Sequence, residues 1–174
     1  SPDAPGVDVY LDGALVDALV NVPYEAVSSF LDVSAATHQI EVYAHGADPA
    51  AANPVIDETV TLLPGVQYTV AATGFLGDIG ATIVTYEGDL PDPGNALVRF
   101  VHASPDAPTV DIVVDSVDPE LTLFGDVSFG DPATAFQSVG AGSYDLEARI
   151  ASSGDVALDL NDVAFEAGGI VTIF

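Results

Sequence analysis

The sequence predicts an all-β chain of two tandem, immunoglobulin-like antiparallel β-sandwich domains. Three observations point there: one block of residues recurs at a fixed interval, short Val-, Thr-, Ile- and Tyr-rich runs alternate between turn residues, and no stretch of useful length carries helical periodicity. Ser1-Pro-Asp-Ala-Pro-Gly-Val-Asp-Val9 returns as Ser104-Pro-Asp-Ala-Pro-Thr-Val-Asp-Ile112, an offset of 103. Asn21-Val-Pro-Tyr24 returns as Asp126-Val-Ser-Phe129, and Ala36-Thr-His-Gln-Ile-Glu41 as Gly142-Ser-Tyr-Asp-Leu-Glu147. Val60-Thr-Leu-Leu-Pro-Gly65 returns as Val163-Ala-Phe-Glu-Ala-Gly168, again at an offset of 103. A unit of that length is a domain, whereas solenoid repeats run to about 20–50 residues.

The elements follow in order. Val7–Leu11 alternates, and Asp12-Gly13 is a hairpin signal joining it to Ala14–Val20. Glu25–Leu31 could pass for a helical turn. Thr37–Tyr43 alternates, Val55–Leu63 reads as a strand stopped by Pro64-Gly65, and Gln67–Ala72 and Thr82–Tyr86 complete the first copy. Gly88-Asp-Leu-Pro-Asp-Pro-Gly-Asn95 is turn chemistry, so residues 1–90 are expected to form one domain, 91–95 a linker and 96–174 the second domain. That copy opens with the strand Leu97–His102. The first copy has no counterpart of Ala96–Ala103, and the second none of Thr73–Tyr86. Each copy is thus expected to lack a terminal strand, at opposite ends. A fragment explains this, and so does a neighbour that supplies the missing strands.

Charge is the strongest compositional signal. The chain has 27 acidic residues, two basic ones (Arg99 and Arg149), no lysine and a net charge of −25. Such a surface repels itself in dilute buffer. In molar salt the Debye length falls to about 3 Å and the repulsion is screened. This is the pattern of a halophile, with an ordinary acidic extracellular protein as the plainer alternative. Two arginines cannot supply the phosphate contacts of nucleic-acid binding. Mean hydropathy is +0.40, yet no run approaches the roughly 18 apolar residues of a membrane span, so no membrane insertion is expected. The absence of cysteine removes disulfides and thiolate chemistry. The absence of methionine means that Ser1 is not a translation start, as after removal of a signal peptide or in a fragment.

Catalytic motifs are wanting. His102, Ser104 and Asp106 lie close in sequence, but neighbouring residues on a strand face opposite ways, and a Pro turn explains the group equally well. No catalytic residue is assigned, and the chain is expected not to be an enzyme. His38 and His45 stand seven apart without a zinc motif. Asp159, Asn161 and Asp162, and also Asp89 and Asp92, offer oxygens for calcium or another hydrated cation, although neither group matches an EF-hand loop. A solvated acidic surface is the simpler reading, and no cofactor is expected.

Val98-Arg-Phe-Val-His-Ala-Ser-Pro-Asp-Ala-Pro-Thr-Val-Asp-Ile112 resembles the opening motif of a secreted domain-of-unknown-function family, DUF4397, found in tandem copies in bacteria and salt-loving archaea. Ser1–Tyr10, Leu11-Asp-Gly13, Asn21-Val-Pro-Tyr24 and Leu63-Pro-Gly-Val-Gln-Tyr-Thr-Val70 are similar to the same pattern. The resemblance, of haloarchaeal type, implies export and a β-sandwich, and supplies no catalytic residues. The second copy departs at Asp115-Ser-Val-Asp-Pro119, where the Asp-Gly turn is lost. The function expected is structural or adhesive, at the cell surface or outside the cell. Its partners would be copies of itself or other surface proteins. In its sharper form the protein is a filament subunit joined by strand addition, with Ser1, Val7, Val9 and Phe174 as assembly residues. The alternative is a polysaccharide- or calcium-binding surface module.

Overall fold

The computed structural model describes residues 5–174. Ser1, one of the expected assembly residues, lies outside them. The chain divides into two compact units between Glu87 and Gly88, where the turn-rich connecting stretch starts.

In the first unit, β1 (Val7–Leu11), β2 (Ala14–Leu15), β3 (Thr37–Ala44) and β4 (Ile56–Thr61) form one antiparallel sheet in the order β2-β1-β3-β4. A hairpin of β5 (Gln67–Thr73) and β6 (Gly80–Tyr86) forms a second, two-stranded sheet. Asp12 and Gly13 both have positive φ, 52° and 75°. That is what a two-residue hairpin turn matched to strand twist requires, and Asp and Gly are residues that tolerate it. The partner strand is shorter than expected: only Ala14 and Leu15 pair with β1. Val16 then donates its N–H to Val9 O at 2.9 Å, and Leu19 turns back onto Val16 O at 2.8 Å in a 3-10 turn over Asp17–Leu19. The chain rejoins the sheet at Val22, which exchanges two backbone bonds with Val7. Residues 25–31 form no helix.

The second unit repeats the plan. β8 (Val110–Val114), β9 (Leu121–Val127), β11 (Gly142–Ile150) and β12 (Val156–Phe165) stand in the order β12-β11-β8-β9. This matches the first sheet strand for strand. The β8–β9 hairpin survives loss of the Asp-Gly turn, with a longer loop and Val114 opposite Leu121. A second sheet has the order β10-β7-β13, from β7 (Asn95–Phe100), β10 (Gln137–Gly140) and β13 (Ile170–Ile173). The β7–β13 pair is parallel, an exception among otherwise antiparallel pairings. The sheet-order match and the alternating buried positions make both units sandwich-like, and the chain is all-β.

The largest core lies in the second unit. Ala96 and Val98 on β7 meet Val110, Ile112 and Val114 on β8, together with Phe124, Leu146 and Phe165, all buried. Spacing by two residues puts each set on one strand face. Leu146 is among the largest fully buried side chains. Leu146→Ala is therefore expected to destabilise the protein by about 2–5 kcal/mol, read from chemical denaturation in molar NaCl. A change under about 0.5 kcal/mol, typical of surface positions, would contradict this core assignment.

Candidate functional site

The most heavily hydrogen-bonded carboxylate is Asp8 on β1. Its side chain is buried and accepts from Asn21 N–H at 2.8 Å, His45 Nδ1 at 2.8 Å and Gly46 N–H at 2.9 Å. Asn21 has φ 53°, a left-handed conformation that Asn and Asp tolerate best. The second unit repeats this lock. Asp111, the counterpart of Asp8, accepts the N–H of Asp126 at 2.8 Å, and Asp126 has φ 54°. In both units, then, the repeated Val-Asp motif pins the segment that closes the β1–β2 or β8–β9 excursion. Sequence reasoning missed this role. Its signal was a repeated Asp in a strand, paired with an Asn or Asp at equivalent positions further on.

His38 on β3 is buried. Its Nδ1 lies 2.7 Å from Asp12 Oδ2, and its Nε2 lies 2.9 Å from Ser34 O. Both neighbours are acceptors, so the doubly protonated ring satisfies both, and these bonds raise its pKa above 6.5. Asp12 also accepts Gln39 N–H, which with His38 holds its pKa below 3.8. His38 and His45 thus serve separate carboxylates and do not converge. Arg149 forms a two-pronged pair with Glu120, at 2.8 and 3.0 Å, and also bonds Glu147.

Among the other expected residues, Ser104 Oγ bonds Asp106 Oδ1 directly at 3.1 Å, while His102 Nε2 donates to Pro108 O at 3.1 Å. The histidine is not placed between serine and aspartate, and no relay forms. Its Nδ1 is buried without a hydrogen-bond partner among the described residues. Asp159, Asn161 and Asp162 lie exposed on β12. Asp162, at φ 57°, marks the bulge where β11 and β12 shift register, and its N–H donates to Asp145 Oδ1 at 2.9 Å. Asp89 and Asp92 lie exposed in the connecting stretch, where Asp92 O accepts Asn95 N–H. No group of three or more His, Asp or Glu able to hold a metal ion occurs among the described residues.

The assembly residues also move. Val7 and Val9 stand on β1, which is paired on both edges, so neither offers the open backbone that strand addition needs. Phe174 is exposed just beyond β13. In the first unit β5 has β6 as its only strand partner among the described residues. Val70 on β5, and Phe30 and Val33 in the loop before β3, are exposed, although their counterparts in the second unit by sequence, Ile173, Phe136 and Val139, are at least partly buried.

Fold and repeat together define a tandem β-sandwich protein. The chain belongs to the family described as Domain of unknown function (DUF4397), which it matches over residues 1–113 and 98–174. A search of curated proteins finds no match. No helix among the described residues is long and apolar enough to cross a membrane.

Two pH limbs follow from the locks. The Asp8 carboxyl is held at about 2 by its donors, so its stabilisation is complete above 3.8 and is lost as pH falls through about 2. The His38 contribution is complete below 6.5 and is lost as pH rises through its higher folded value. Thermal melts across pH should show Asp8→Asn losing stability relative to the parent above 3.8, with the gap closing in acid. For His38→Gln the gap should be widest on the mildly acidic side of 6.5 and should close in alkali. Gaps that do not vary with pH would contradict these assignments.

Proposed function

We propose that the protein is an extracellular or cell-surface structural or adhesive component of a haloarchaeal type of organism, joined to its neighbours by strand addition. The observation that carries this is that β5 has only β6 as a strand partner among the described residues and exposes Val70, on a chain that otherwise carries a net charge of −25. A bare strand edge is a template for pairing with another chain, and native proteins normally blunt it. Here the exposed Val70 on β5 adds an apolar side chain to it. The polar clusters support a non-enzymatic role, because Asp8, Asp12, His38, His45 and Arg149 are each engaged in holding backbone or one another. Hydrated cations act as a screening atmosphere for the carboxylates, without a dedicated site.

Such a protein works in brine. Self-repulsion is screened as the Debye length shrinks from about 10 Å at 0.1 M salt to about 3 Å at 1 M, so the melting temperature should climb steeply over that range. Light scattering and negative-stain microscopy of native material in molar NaCl should show polymers. A discrete monomer at every concentration would refute assembly, and a melting temperature indifferent to salt would refute the halophilic setting.

A further inference from the structure

The two units build the same strand end and finish it differently. Just past β3, His45 N–H donates to Gly6 O at 2.8 Å, and just past β11, Ala151 N–H donates to Thr109 O at 3.0 Å. Val7 lies opposite Ala44 as Val110 lies opposite Ile150. That register sets Ala151 at the place of His45, Ser152 at that of Gly46 and Thr109 at that of Gly6. In the first unit His45 Nδ1 and Gly46 N–H both reach the Asp8 carboxylate. In the second, Ala151 has no ring to offer, and the turn after it runs another way. Its left-handed residue is Gly154, whose N–H returns to Ile150 O at 2.7 Å. Of the three donors that hold Asp8, Asp111 keeps only the Asp126 N–H among the described residues.

A hollow of about 350 Å³ marks the difference. Pro108, Thr109, Asp126, Ala151 and Ser152 line it, and these are the counterparts of Pro5, Gly6, Asn21, His45 and Gly46. Charge changes together with shape. Asp126 replaces Asn21, so a second carboxylate stands next to Asp111 where the first unit has an imidazole. A Cβ on Gly6 would lie 2.3 Å from Asn21 Oδ1, far inside contact distance. With Thr109 at that place, the Asp126 side chain cannot adopt the pose of Asn21, and the Thr109 hydroxyl bonds Ser128 Oγ at 2.7 Å. Arg149, opposite Asp111 across the β8–β11 pair, is turned to Glu120 and Glu147.

We propose that this hollow binds a small planar nitrogen cation of the imidazolium class, which takes the place of the His45 ring and donates to Asp111 with Asp126 beside it. The first unit supplies the precedent: a ring nitrogen held 2.8 Å from the carboxylate at the equivalent position. Two carboxylates without a paired cation select for positive charge, and a charge-assisted N–H···O⁻ bond fixes the ring's orientation. A metal ion suits the place less, because the described residues gather no group of three or more His, Asp or Glu able to hold one. Every residue of the site belongs to the second unit, and the site does not depend on the assembly reading above.

The test is heteronuclear NMR of the whole chain in molar NaCl, titrated with imidazole at about pH 5.5, below the ordinary histidine pKa of about 6.5, where the ring is cationic. Saturable shifts are expected at the amides of Asp126, Ala151 and Ser152. Ala151→His installs the ring covalently and should abolish them. Asp111→Asn keeps an acceptor for the Asp126 N–H, so the fold survives, and it should weaken binding roughly tenfold. Shifts that grow without saturation over the whole acidic surface would mean an ion atmosphere only and would overturn the site. Saturable binding that both variants leave unchanged would overturn it too.

Discussion

A strand's backbone groups are satisfied only when both of its edges are paired or solvated, and in this chain the parallel pairing of β7 with β13 decides how far the second unit can bury itself. Where β7 is seated, β10 pairs along its second edge, and Ala96 and Val98 are removed from water entirely. Val139 and Phe165 are buried in the same cluster. Where no such strand is described, the segment equivalent to β10 forms no strand, and Phe30, Leu31 and Val33 face solvent. The converse holds on the far side. β6 lies beside β5 in the first unit and buries Val84, whereas β13 has only β7 as a strand partner among the described residues. Val156, Leu158 and Leu160, at alternate positions along β12, are exposed there.

A chain with 27 carboxylates and two arginines cannot neutralise its acids with cations of its own, so the partly buried ones must be met in other ways. Backbone N–H groups are the main answer. Asn21, Gly46, Gln39, Asp126 and Asp162 all turn their N–H toward an aspartate. Four of these donors, all but Gln39, sit at positive φ, where the backbone presents its amide to a side chain instead of a neighbouring strand. A carboxylate that accepts several such bonds is stabilised in its charged form, and this is why the Asp8 carboxyl is held so low. His38, His45 and Arg149 complete the set, each committed to a named acid.

The repeat, the Asp12-Gly13 turn and most strand positions were legible in the sequence because they follow from local pattern. Alternation reports which residues of a strand face inward, and left-handed turns demand particular residue types. Pairing partners were not legible. Nothing local to Leu97–Phe100 distinguishes a strand that pairs antiparallel with a sequence neighbour from one that pairs parallel with a segment some seventy residues on. The same limit misdirected the assembly residues. Val7 and Val9 carry a strong strand pattern, but that pattern does not reveal that β1 is interior to its sheet. The acidic residues on β12 show a further limit. Asp162 is explained by a bulge whose residue must accept positive φ, a backbone demand that looks in sequence like a ligand. The hydrogen-bond partners of the histidines depended on which loops meet, and sequence spacing holds no record of that.

Salt joins these observations into one argument. In molar NaCl any field reaching beyond about 3 Å is screened, so the net charge that keeps such chains apart in dilute solution no longer opposes contact. What remains are interactions at contact distance: backbone bonds near 2.9 Å, apolar burial, and an arginine resting on a ring at 4.5 Å. Buried contacts of this kind are screened far less than exposed charges. A chain that has given up lysine yet keeps an arginine inside a strand has kept the cation that binds through its flat face and directional donors, and not only through its field. Strand pairing fixed by such an arginine, as β7 is fixed to β13, therefore holds in water in which surface charge has lost its reach.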